Sequence, residues 1–324
     1  MNEKVLKTLE YDKITARLAD LAGSPLAKAH CLELKPSSDL YEIQAAQRET
    51  SDALSRLLRK GSLSFSGITD VRGILKRLEI GSILGTDELL RLCKLLEVCA
   101  RVKAYSRRDT EEESRDSLDD IFDALQPLTP VSSEIRRCIV SENELSDDAS
   151  PVLFKLRRSM RHTNDKVHAQ LTSMVNGSVR TYLQDAVITM RNGRYCIPVK
   201  AEHRGQVPGM IHDQSSTGST LFVEPMAVVK LNNELRELEL KEEREIEVIL
   251  SNLSALAAAE TEALSEDLTF LTQLDIIFAR AQLSRSYNGS EPVFNTEGRI
   301  HIKKGRHPIL KKKSVVPIDI RLGT

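Results

Sequence analysis

From Met226 to Asn288 the chain contains neither Gly nor Pro. Within that run Leu231, Leu235, Leu238, Ile246, Ile249, Leu253 and Leu256 recur at helical spacing,. An unbroken helix of ~60 residues, at 1.5 Å per residue, would reach ~90 Å. That exceeds the width of a compact domain, so most of its apolar stripe needs a partner helix. One candidate opens at Ser150-Pro151, with Ser as the cap and Pro at the first helical position,. Leu153, Leu156, Met160, Thr163, Val167, Gln170 and Met174 then form a seam of three- and four-residue steps, up to an interruption at Gly177,.

Between the two helices the apolar period falls to two. Val187 to Met190 and Tyr195 to Val199 flank Asn192-Gly193, the strongest short hairpin signal because both residues tolerate positive φ,. Pro198 marks an edge or bulge. Gly209 to Asp213 and Thr220 to Val223 form a second strand pair around a Ser/Thr/Gly loop. The expected arrangement is an outgoing helix, a small sheet that turns the chain round, and an antiparallel returning helix. Ahead of it, residues 1–60 read as helices with a capped turn at Pro36 to Asp39. Gly61 to Gly67 is a loop. Asp70 to Leu78, Thr86 to Tyr105, Ile121 to Leu125 and Ser132 to Ile139 are further helices, with residues 109–120 a solvated acidic connection. Strand character returns at Arg299 to Ile302 and Val315 to Ile318. With 4% aromatic and 29% charged residues, 15 Gly and 11 Pro, the fold class is mainly α: a helical core, long antiparallel helices and a small antiparallel β insertion. The expected division is 1–150 helical core, 151–227 outgoing helix with the sheet, 228–290 returning helix and core, and 291–324 the start of another domain.

The formal net charge of -1 conceals blocks. Asp109 to Asp148 holds thirteen acidic and three basic residues, Lys155 to Arg204 ten basic and three acidic, Glu234 to Asp267 eleven acidic and three basic, and Arg299 to Arg321 eight basic and one acidic. Each block acts on what lies within ~8 Å at physiological salt. The second block nominates Lys155, Arg157, Arg158, Arg161, Arg180, Arg191, Arg194, Lys200 and Arg204 as contacts to a phosphate backbone. The alternative is that the basic and acidic blocks only pair the two long helices, as in a coiled-coil scaffold acting through protein partners.

Catalytic signatures are absent. No Walker A, H-E-x-x-H, G-x-S-x-G or G-x-G-x-x-G pattern occurs, so no catalytic residue is assigned,. His162 and His168 are six apart, off one helix face, and the five cysteines form no C-x-x-C pair; neither metal nor disulfide is expected,. His212-Asp213 reads as the polar rim of the sheet, and the loop at 215–220 as a hairpin turn. No apolar run is long enough for a membrane span or a signal core, so a cytoplasmic protein is expected.

The run Ile211-His212-Asp213-Gln214-Ser215-Ser216-Thr217-Gly218-Ser219-Thr220-Leu221-Phe222-Val223-Glu224-Pro225 resembles a signature of the second type of bacterial MutS family, the paralogue that usually carries an Smr nuclease domain. Val5 to Tyr11, Asp70 to Arg72, Glu79 to Ser82, Arg191 to Lys200, Asn232 to Leu235 and Arg306 to Leu310 also resemble that family, in order along the whole chain. The resemblance implies a helical core, lever helices and a clamp, leading to a dimerising P-loop ATPase domain that begins near Gly298 to Leu310. It implies an amino-terminal piece of a longer protein, with ATP and Mg used by the whole and none bound by this part. Val315 and Val316 then resemble the strand beside the adenine. Implied partners are branched or structured DNA and the ribosome, with suppressed recombination or the splitting of stalled ribosomes as the outcome. Phe222-Val223-Glu224 matches the Phe-x-Glu mismatch reader of repair MutS proteins in letters only, because it sits in the sheet ahead of Pro225.

Overall fold

The computed structural model describes residues 3–107, 114–177, 179–310 and 315–323. In chain order the elements are α1 (Glu3–Thr8), α2 (Tyr11–Leu21), α3 (Pro25–Glu33), α4 (Leu40–Lys60), α5 (Arg72–Glu79), α6 (Thr86–Tyr105), α7 (Asp119–Ala124) and α8 (Thr129–Cys138). A hairpin of β1 (Ile139–Ser141) and β2 (Glu144–Leu145) follows, then α9 (Pro151–Asn176). The strands β3 (Thr189–Arg191), β4 (Arg194–Lys200), β5 (Gly209–Gln214) and β6 (Thr220–Pro225) lead to α10 (Met226–Ala258) and α11 (Thr261–Tyr287). β7 (Ile300–Gly305) and β8 (Ile318–Leu322) complete the order. The chain divides into two compact units, residues 1–136 with 253–324, and residues 137–252. It is mainly α with small antiparallel insertions, as expected.

In the first unit α11 is the central element. Its Phe278 sits among Phe65, Tyr105 and Phe122 at ring distances of 6.0, 5.8 and 6.3 Å. Asp275, buried on the same helix, accepts from Gly23 N (2.8 Å), Ser24 N (2.7 Å) and Ser24 Oγ (2.7 Å). Ser24 in turn caps α3 through Ala27 N. Burial raises the Asp275 carboxyl, and these hydrogen bonds oppose the rise,.

Three sequence expectations change here. The 226–288 run is two helices, not one. Thr261 Oγ1 bonds Ala258 O at 2.8 Å, a local alternative to continuing the helical ladder, and Glu260 leaves helical geometry (φ -114°, ψ 19°). The acidic connection is only partly outside the described residues, and its described end is not simply solvated. Asp116 and Asp119 hold the buried Arg56 at 2.6 and 2.9 Å, and that guanidinium also lies 4.8 Å from the Phe122 ring centroid. In the tail, strand β8 begins at Ile318, so Val315-Val316-Pro317 lies ahead of the strand and not in it.

In the second unit Ser150 caps α9, its hydroxyl accepting from Leu153 N at 2.9 Å. The seam of α9 is buried at Leu153, Thr163 and Val167, then moves to Leu171 and Val175. Gln170, assigned to the seam from its spacing, is exposed. Helix α10 runs antiparallel to α9: Ser150 Oγ meets Glu245, Arg157 meets Glu242 and Thr163 meets Glu234.

Candidate nucleic-acid interface

The sheet of the second unit has strand order β3-β4-β6-β5, every pair antiparallel. Asn192 (φ 49°) and Gly193 (φ 71°) both take the left-handed conformation that a two-residue hairpin needs,. They set Arg191 opposite Arg194. Pro198 pairs with Phe222 on β6, while its carbonyl accepts from Gln184 N on the other side. The donor that Pro lacks would face Gln184, which lies opposite it beside the Leu183–Val199 bridge, so Pro198 forgoes only the return bond of that pair at the margin of the sheet,.

Side chains alternate across the sheet. Ile197, Val199, Leu221 and Val223 form one face and pack with Val167, Leu171 and Val175 of α9 and Val228 of α10. The opposite face carries Arg191, Arg194, Cys196, Lys200, Phe222 and Glu224. On it the Arg191 guanidinium stacks 4.0 Å from the Phe222 ring centroid, and its Nε lies 3.2 Å from Asp213 Oδ2. Asn192 Nδ2 donates to His212 O at 3.0 Å, tying the turn to β5.

Glu224 is the buried centre of this face, 0% exposed. Its carboxylate meets His212 Nε2 at 2.5 Å, Asn232 Nδ2 at 2.7 Å and Arg194 Nη1 at 3.3 Å. Arg194 Nη2 also donates to Asn233 Oδ1 at 2.6 Å. The Asn232-Asn233 pair at the start of α10 is thereby tied to the sheet. His212-Asp213 is thus more than a polar rim: one residue holds Glu224 and the other Arg191. Burial, with the Glu224 charge adding to it, pushes the Cys196 thiol up to about 11, so this cysteine is no nucleophile at neutral pH.

The nine cations nominated from the sequence fall into two groups. Arg157 is held by Asp147 and Glu242, both at 2.7 Å, and by Leu145 O at 2.8 Å. Arg161 also meets Asp147, at 3.2 Å. These contacts, Arg157's hydrogen bond first, hold the Asp147 carboxyl below its usual range. Arg191 and Arg194 have the partners given above. Lys155, Arg158, Arg180 and Arg204 are exposed and Lys200 half-buried, and all five lack an acidic partner among the described residues. Steps of three and four along α9 from Lys155 and Arg158 reach His162 and Lys166, both exposed,. The heptad spacing of the seam leaves these positions outside, a signal that could have added them.

The loop at 215–219 is a closed hairpin turn. Gly218 N bonds Ser215 O, Ser215 N bonds Thr220 O, and Thr220 N bonds Ser215 Oγ. In the other unit, Val315 is half-buried and Val316 exposed. Among the described residues no three His, Cys, Asp or Glu side chains could together hold a metal ion, and no helix is long and apolar enough to cross a membrane.

No family model matches the chain. Over its whole length it is 58% identical to the Endonuclease MutS2 of Agathobacter rectalis, across 324 residues. Identity is 53% across 329 residues with the Endonuclease MutS2 of Lachnoclostridium phytofermentans, and 51% across 325 with that of Lachnospira eligens. Along its whole length the chain is similar to MutS2 proteins. It spans 41% of the length of these relatives. The similarity covers the complete chain, as the resemblance read along the sequence did, and the 211–225 run falls within the β5–β6 hairpin.

Proposed function

We propose that the 137–252 unit is the nucleic-acid clamp of a MutS2 protein and contacts phosphate backbones without reading sequence. The observation that carries this is the set of five cations, Lys155, Arg158, Arg180, Lys200 and Arg204, without acidic partners among the described residues in a chain whose formal net charge is -1. Arg191 over Phe222 adds a stacked pair on the outer sheet face, suited to an unpaired base beside a junction. In the whole protein this clamp would act with an ATP- and Mg-dependent, dimerising ATPase domain on branched DNA, restraining recombination. Val315 and Val316 would flank the adenine. The name carried by the relatives, an endonuclease, supports DNA as the substrate, and stalled ribosomes are the second phosphate-dense candidate. The setting would be the cytoplasm.

A second reading has its own support. Arg157 is spent on Glu242 of the facing helix, so part of the basic block pairs α9 with α10, as a scaffold would require. Titration of a fluorescent four-way DNA junction with the 324-residue chain separates the two. A clamp binds it at low salt and releases it steeply as salt rises. A scaffold does not bind it at any salt.

A further inference from the structure

The helical unit contains a cavity of about 500 Å³, within the range of small-molecule sites. Leu268, Thr272, Ile276 and Arg280 line it from successive turns of α11, facing Leu26 and Leu34 from α3 and the residue that ends it. The walls between the two helices are therefore largely aliphatic. Thr272 Oγ1 donates to its own helix at Leu268 O (2.7 Å), so it offers the cavity no free proton. The polar end is Arg280. Its Nη2 donates to Glu49 Oε2 at 2.8 Å, while its Nε is buried with no acceptor among the described residues. Asp275, five residues earlier on the same helix, is engaged by Gly23 and Ser24 and does not supply one. His30 and Arg72 also line the cavity, although the Arg72 guanidinium is already held by Asp70 at 2.6 and 2.9 Å.

A buried donor without an acceptor is costly; Nε itself is closed off, and the partly exposed remainder of the Arg280 guanidinium side chain lines the apolar space. The group that suits it is acceptor-only at one end and aliphatic at the other. We propose that this cavity binds a small amphipathic carboxylate, its chain between α3 and α11 and its head on Arg280. This site is separate from the nucleic-acid interface, and the inference does not rest on that reading.

Calorimetric titration of the 324-residue chain with sodium decanoate, below its micelle concentration, tests it. The controls are decyltrimethylammonium and decanol. Saturable one-to-one binding of decanoate is expected, with neither control matching it. Ile276→Trp, which fills the cavity from a half-buried wall position, should weaken binding about tenfold or more, and so should Arg280→Met. Thermal unfolding verifies that each variant is folded, and Ile276→Trp decides the matter if Arg280→Met is not. The proposal is overturned by absence of saturable binding, by equal binding of the three amphiphiles, or by decanoate affinity that a folded Ile276→Trp leaves unchanged.

Discussion

Asp267 on α11 makes the stability of the helical unit depend on pH in a direction opposite to that of a salt-bridged carboxylate. It is fully buried. Its Oδ1 accepts from Gln126 N at 2.8 Å, while Oδ2 is buried without a hydrogen-bond partner among the described residues. Burial pushes the carboxyl from 3.8 up to about 6, against the pull of the Gln126 amide, the Cys99 thiol and Lys103. The folded protein therefore keeps this proton until about pH 6, whereas the unfolded chain releases it near 3.8. Between those values the folded state binds more protons, so raising the pH removes stability, and the loss is complete above about 6. At ~1.36 kcal/mol per pH unit the full effect is about 3 kcal/mol. About 2 kcal/mol of it falls between pH 4.5 and 7.5. Asp267→Asn cannot ionise, and every other titrating group is common to both proteins. Urea unfolding across this range should thus show the Asn variant gaining about 2 kcal/mol on the parent as the pH rises. A difference flat to within about 0.5 kcal/mol, or one that shrinks with pH, would refute the reasoning.

Two further substitutions probe buried charge. Glu224→Ala removes the shared buried acceptor of Asn232 Nδ2, Arg194 Nη1 and His212 Nε2, leaving Asn232 the longer bond to Tyr195 O and Arg194 the bond to Asn233 Oδ1, and should cost the sheet-bearing unit about 3 kcal/mol, seen as a lower urea midpoint; Glu224→Gln, which keeps an acceptor for Asn232, should cost less. Arg56→Met leaves Asp116 and Asp119 facing each other beside Phe122. It should cost about 3 kcal/mol in the same assay at neutral pH.

Local chemistry was legible where one residue decides the backbone. Asn192-Gly193 dictated a hairpin and Ser150-Pro151 dictated a helix start, and both are found with the geometry their side chains require. The break at Ala259-Glu260 was not legible, since no Gly or Pro marks it and the deciding contact is a threonine hydroxyl on a carbonyl. The β1–β2 hairpin is too short for a period to register. The charge blocks located the basic unit, but counting signs treats Arg157 and Lys155 alike. Only the facing helix distinguishes them, because Glu242 meets the first and not the second. Glu224 was hidden for the same reason: its three partners come from β4, β5 and α10. Phe222, a match in letters only to a mismatch reader, has its partner set by the sheet: period-two alternation puts it on the outer face, two residues from Glu224 and opposite Pro198, where Arg191 stacks on it.

The salt dependence of junction binding, compared between the parent and a variant with Lys155, Arg158, Arg180, Lys200 and Arg204 all changed to Gln, bears hardest on the clamp. These side chains are exposed or half-buried and hold no ion pair among the described residues, so the fold should survive, as circular dichroism and thermal unfolding can verify. Each phosphate that the variant no longer neutralises should flatten the slope of log K against log salt by ~0.9. The clamp predicts a variant whose slope is shallower by several such steps and whose affinity at about 50 mM salt falls by orders of magnitude. A folded variant that binds with the parent's slope and affinity, or a parent chain that binds no junction at that salt, would contradict it.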